Sequence, residues 1–203
     1  MKRKLLIFSI IGALFLSSGC GKKAILRKYY ILALTRPLPD STYLGIKLQS
    51  QVDVRDFTVA KSVDQTRIAM RTNTHEMNYY FYHHWAVKPG AAVADMIYAL
   101  LSDTDAFERL TRGYSNSPRY VISGMVDHIE RLEESDQIFA HLGCSLLMID
   151  TDTRDPVVTH HFDRKNLISP PKSMNAFARE ISVILQEECQ LFLKKTEDFL
   201  SQQ

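Results

Sequence analysis

Several chemical signatures are missing from this chain. It has no Cys-x-x-Cys pair and no His-x-x-x-His spacing, so a dithiol redox site and the usual local zinc patterns have no basis in the sequence. It has no Gly-rich Lys-Ser/Thr phosphate loop and no Gly-x-Ser-x-Gly elbow, and no paired-carboxylate motif stands out. No run of Lys and Arg forms a phosphate-tracking stripe, which removes the electrostatic basis for nucleic-acid binding. There is no internal repeat, low-complexity tract or domain-length linker. What is present is an ordinary globular balance, 203 residues with 45% hydrophobic and 24% charged. That excludes a disordered, collagenous or polytopic membrane chain and suits one medium domain.

The small excess of positive charge, a formal +2, sits at the N-terminus. Lys2, Arg3 and Lys4 precede an uncharged apolar stretch, Leu5 to Leu16, and small residues Ser17, Ser18 and Gly19 lead to Cys20. This is the three-part layout of an export signal. Twelve apolar-rich positions fall short of the about 20 needed to span a bilayer as a helix, so a cleaved signal is expected rather than a permanent span. The Cys after Ser-Gly resembles the lipobox of bacterial lipoproteins, with Ser17 where Leu is usual. That resemblance implies cleavage before Cys20, diacylglycerol on its sulfur and an acyl chain on its new amine. Gly21, in place of Asp, tilts sorting toward the periplasmic face of the outer membrane. Loss of residues 1–19 removes three basic residues and no acid, leaving 22 positive against 23 negative side chains, a formal −1. The expected organisation is a signal peptide at 1–19, a lipidated Cys and short tether at 20–28, and a single domain at 29–203.

Within that domain, Tyr29 to Leu34 reads as a strand stopped by Pro37 and Pro39, and residues 44–54 alternate as a half-buried strand. Arg67–Arg71 and Met77–Tyr82 read as a hairpin. After Pro89-Gly90 a helical spacing runs through Val93, Ile97, Leu100, Leu101 and Phe107. Arg119 to Arg131 is extended. Ile138 to Met148 has apolar residues at every even position, and a turn at 153–156 leads into Val157–Phe162. A long helix from about Ser173 to Phe199 carries a stripe of Phe177, Ile181, Ile184, Leu185, Leu191 and Phe192. The expected fold is α+β, a mostly antiparallel sheet with two helices packed on one face.

The Tyr-Tyr strand near Cys20, the strand Arg67-Ile68-Ala69-Met70-Arg71, and Tyr79-Tyr80-Phe81-Tyr82-His83-His84-Trp85-Ala86 before a Pro-Gly helix start occur in one order. In this the chain resembles the ABC-type transport auxiliary lipoproteins, typified by the paraquat-inducible protein C type. It departs at His84, where Arg is frequent before the Trp. The resemblance implies a non-enzymatic accessory role in lipid trafficking across the envelope. The implied partners are an ABC permease and ATPase and a mammalian-cell-entry (MCE) domain protein. Neither cofactor nor catalytic residue is expected in this chain, apart from the covalent lipid on Cys20.

Two features have competing readings. The aromatic strand either packs its Tyr79 and Phe81 under the helices, with Trp85 closing the core edge, or also presents Tyr80, Tyr82 and His84 on its other face to a partner. Cys144 and Cys189 are either buried thiols or a strand-to-helix disulfide, since the periplasm is oxidising. Seven His residues read as scattered surface groups. Asp53, Asp56 and Asp64 read as strand-edge and loop solvation. Remaining alternatives to the transport role are a general envelope-assembly or secretion lipoprotein and a lipid-tethered periplasmic hydrolase.

Overall fold

Strand β7, the longest among the described residues, organises the sheet. The computed structural model describes residues 26–35, 48–73, 75–104 and 106–202; Cys20, most of the tether and the loop expected at 37–41 lie outside them. In chain order the strands are β1 (Lys28–Tyr30), β2 (Leu48–Val54), β3 (Thr58–Val59), β4 (Arg67–Asn73) and β5 (Glu76–Trp85). Helix α1 (Pro89–Ser102) follows, then β6 (Phe107–Arg112), β7 (Tyr120–Glu134), β8 (Gln137–Asp150), β9 (Pro156–Leu167) and helix α2 (Met174–Leu200).

One side of β7 pairs along its length with β8, which pairs with β9, both antiparallel. Short turns at Ser135-Asp136 and at 151–155 permit this directly. The other side of β7 is shared end to end by β2, β3 and β4, all parallel to it. Beyond β2 lies β6, also parallel; beyond β4 lie antiparallel β5 and then parallel β1 at the edge. The α+β architecture is as expected, but the sheet is mixed rather than mostly antiparallel. The parallel ladders join segments far apart in sequence. Local turn signals cannot reveal them.

The alternation of β8 is the clearest link from sequence to core. Ala140, Leu142, Cys144, Leu146 and Met148 are all buried, because a strand's period of two puts them on the face that the helices cover. Helix α2 starts at Ser173, whose side-chain oxygen accepts from the Ala176 amide at 3.0 Å, satisfying one of the first-turn donors. Its stripe buries Phe177, Ile181, Ile184, Leu185, Cys189, Phe192 and Leu193. Leu191, expected in that stripe, is exposed, while Glu188 and Thr196 are buried. Trp85 packs on Phe177 with ring centroids 5.6 Å apart, so the end of the aromatic strand is core rather than core edge.

Helix α1 ends at Ser102, and Phe107 opens β6 instead of extending the helix. Its start is set by contact: a Cβ on Gly90 would lie 2.2 Å from the Phe57 carbonyl oxygen, so no side chain fits. Gly124 on β7 is equally confined, with the Ser145 carbonyl 1.8 Å from a would-be Cβ.

Candidate functional site

Strand β5 carries the residues singled out from sequence, and its pairing with β4 is irregular. Ala69 faces Tyr79, yet Arg67 faces His84, so two steps along β4 match five along β5. Three extra residues are extruded, and such a bulge re-aims the side chains it contains. The simple alternation across Tyr79–His84 is thereby lost.

Tyr80, Tyr82 and His84 do not share one outward face. Tyr80 is half-buried; its hydroxyl accepts from Arg131 Nη1 and lies 3.3 Å from Met70 Sδ. His84 is buried, with Nε2 3.1 Å from the Phe81 carbonyl and its ring 5.7 Å from Tyr29. Tyr82 is exposed. Phe81, expected under the helices, is 66% exposed and sits edge-on to Tyr82 at 4.9 Å. Strand β1 closes this edge through the pairs Lys28 with His83, Tyr29 with His84 and Tyr30 with Trp85. Tyr30 Oη lies 2.8 Å from His83 Nδ1. Burial, helped by the nearby Lys28 charge, holds His83 below its ordinary pKa, which favours the neutral ring at pH 7.

A second constellation lies on the sheet face away from the helices, built from β4, β7, β8 and β9. Glu130 is fully buried and accepts from Arg71 through two bonds, Nε at 2.7 Å and Nη2 at 3.0 Å. His141 Nδ1 is 3.1 Å from Glu130 Oε1, and its Nε2 is 2.5 Å from Asp163 Oδ1. Burial alone would raise the Glu130 carboxyl. Hydrogen bonds from His141 and Arg71, with their charges, outweigh it and hold the group down at about 2. Burial likewise opposes the charged form of His141, but its two carboxylate partners win and raise its pKa. Carboxylates on both ring nitrogens favour the imidazolium form of His141, which can donate on both sides. The His128 ring stacks on it at 4.8 Å with 19° between planes.

His128, Glu130 and His141 are close enough together to suggest a metal site, yet their chemistry does not suit one. Glu130 already holds the Arg71 guanidinium in a forked pair, and a divalent ion beside it would meet that fixed charge. Near-parallel stacked rings also fail to converge their in-plane lone pairs on one point. The group works as an electrostatic staple.

Another cluster joins β9 to α2: His160 Nε2 to Glu188 at 2.7 Å, and Arg164 to Glu188 at 2.6 Å and to Glu187 at 3.2 Å, while His160 Nδ1 is buried with no hydrogen-bond partner among the described residues. On the open sheet face Ser145 Oγ lies 2.9 Å from His161 Nδ1; the two are directly opposed cross-strand neighbours.

Sequence reasoning missed these clusters. His84, His141 and His160 are buried rather than scattered on the surface. Asp53 is buried too, accepting from Thr111 at 2.7 Å and the Gly113 amide at 2.9 Å. Asp56 pairs with Arg112 at 2.5 Å and Asp64 with Lys88 at 3.1 Å. No local signal marks Glu130, which is one of four acids in β7 beside Asp127, Glu133 and Glu134; only its partners on other strands set it apart. Cys144 and Cys189 are both buried free thiols. Burial pushes the Cys189 thiol up to about 12 and raises Cys144 as well.

The family model for the ABC-type transport auxiliary lipoprotein component matches residues 32–185. The chain belongs to that family. Membership supports an auxiliary role in ABC-type transport and a place in the cell envelope. No curated protein matches the chain. Among solved structures, protein XCC0632 of Xanthomonas campestris, assigned to the family model DUF330, is similar with a TM-score of 0.73 and 16% identity. The match covers 86% of this chain and 98% of that one. A second, uncharacterized protein matches with a TM-score of 0.65 and 10% identity, over 84% of this chain and 99% of its own. At these identities the likeness shows a shared fold. Among the described residues of this auxiliary lipoprotein, no helix is long and apolar enough to cross a membrane.

Proposed function

We propose that this protein is a non-enzymatic subunit of an MCE-linked lipid transport assembly, tethered by acyl chains on Cys20 to the periplasmic face of the outer membrane. Family membership over residues 32–185 is the observation that carries this reading, joined to the lipobox-like stretch ending at Cys20. In it, the folded domain contributes protein–protein contact, and ATP hydrolysis belongs to the partner ATPase. The Glu130 cluster supports a non-catalytic role, because its carboxylate and both ring nitrogens of His141 are engaged by internal partners.

The Ser145–His161 pair is the one observation favouring a lipid-tethered hydrolase, and its cross-strand register accounts for it without catalysis. Activity-based labelling of Ser145 by a fluorophosphonate, lost in Ser145→Ala, would revive that reading. A general envelope-assembly role with another partner predicts a different interaction set. Crosslinking in cells followed by mass spectrometry separates the two: an ABC permease, its ATPase or an MCE-domain protein should be recovered.

A further inference from the structure

Eleven large hydrophobic side chains are exposed among the described residues, and seven of them gather in two segments: Leu26, Tyr29, Ile31 and Leu34, and Phe81, Tyr82 and Val87. The β1–β5 register places these segments side by side at one edge of the sheet. Leu26 is 78% exposed, Ile31 and Phe81 each 66%, and Tyr29 60%. The other four exposed groups are dispersed, Tyr114 in the loop after β6, Met125 on β7, Leu167 on β9 and Leu191 on α2. Such a concentration marks an interaction surface rather than random exposure.

We infer that this edge lies against the membrane interface, with Phe81, Tyr29 and Ile31 dipping into the headgroup region beside the anchor. The inference rests on lipidation of Cys20. Three observations select a lipid surface as the occupant. Leu26 follows Cys20 by six residues, a reach of ~20 Å even when fully extended, so an anchored chain keeps this edge at the bilayer. The chemistry is that of an interfacial belt, aromatic rings and aliphatic groups beside the exposed cations Arg27 and Lys28. Finally, residues 26–35 and 81–88 contain no Asp or Glu, which suits anionic headgroups. The bulge in β5 has a role here: it turns Phe81 outward.

The test uses the purified mature lipoprotein in vesicles of phosphatidylethanolamine and phosphatidylglycerol, with or without brominated acyl chains. Phe81→Trp adds an emitter at the patch. Leu167→Trp adds one on β9, five strands across the sheet from β1 and about 24 Å away at ~4.8 Å per strand. Brominated lipid should quench the emission added at 81 and leave that added at 167 unchanged. Equal quenching of both, or of neither, in protein that floats with the vesicles, overturns the inference while leaving the anchor intact; a second copy of the chain seated on β1 would give this result. Protein lacking acyl chains on Cys20 by mass spectrometry and not floating with vesicles overturns both. A photoreactive acyl phospholipid applied to the unmodified chain gives a second measurement. Adducts should concentrate in peptides 26–34 and 81–87, and adducts spread over β9 contradict the orientation.

Discussion

Replacing Glu130 by Gln keeps the shape of the side chain and removes the charge that the buried staple is built around. Holding a carboxyl at about 2 instead of 4.5 corresponds to roughly 3 kcal/mol of stability at neutral pH. Orphaning one member of a buried pair costs about 3–5 kcal/mol. Arg71 keeps partial access to water, which solvates it once unpaired, so the lower end is expected. For a domain of this size, 3 kcal/mol lowers the melting temperature by about 6–12 °C. The pH dependence carries the sign. The Glu130 contribution is complete above its unfolded pKa and is lost as pH falls through the folded one. The His141 contribution is complete below its unfolded pKa and is lost as pH rises through its raised folded value. The wild-type advantage over Glu130→Gln is therefore greatest between about pH 5 and 6.5. Urea unfolding followed by circular dichroism across pH 3–8 measures this. A difference under about 0.5 kcal/mol at every pH, the range of an ordinary surface substitution, would refute the staple.

Trp85→Ala should destabilise by about 3–5 kcal/mol in the same assay, because it empties the space against Phe177. Gly124→Ala forces a methyl onto the Ser145 carbonyl and should cost about 3 kcal/mol or more, or split the β7–β8 pairing; near-neutral behaviour would contradict the close approach. Cys144 and Cys189 should resist iodoacetamide at pH 8 in the native protein and both label in guanidinium without reductant, whereas a disulfide would leave neither thiol to label. Cys20→Ser should release the protein from membranes in cells lacking its partners, and continued membrane partition would count against the acyl anchor.

Where a single periodicity decides burial, the residues were legible. The even positions of β8 and the 3.6-residue stripe of α2 needed no knowledge of the rest of the chain. Leu191 was misplaced because the buried stripe runs through Glu188 and Thr196, and Glu188 is tolerated there only by His160 and Arg164 from a distant strand. Strand β6, Phe-Glu-Arg-Leu-Thr-Arg, has too few apolar residues to show a period. Its place depends on parallel pairing with β2. The aromatic strand was visible as composition, but its three extruded residues are a property of the β4–β5 register. The Glu130 staple draws on four strands and was equally hidden.

The central claim is that this domain serves an ABC-type lipid transport assembly from a lipid anchor. Its most direct test is crosslinking of the lipoprotein in living cells, with purification and identification of its partners by mass spectrometry. The account predicts recovery of an ABC permease, its ATPase or an MCE-domain protein. Consistent recovery of other envelope proteins, with none of these, would contradict it.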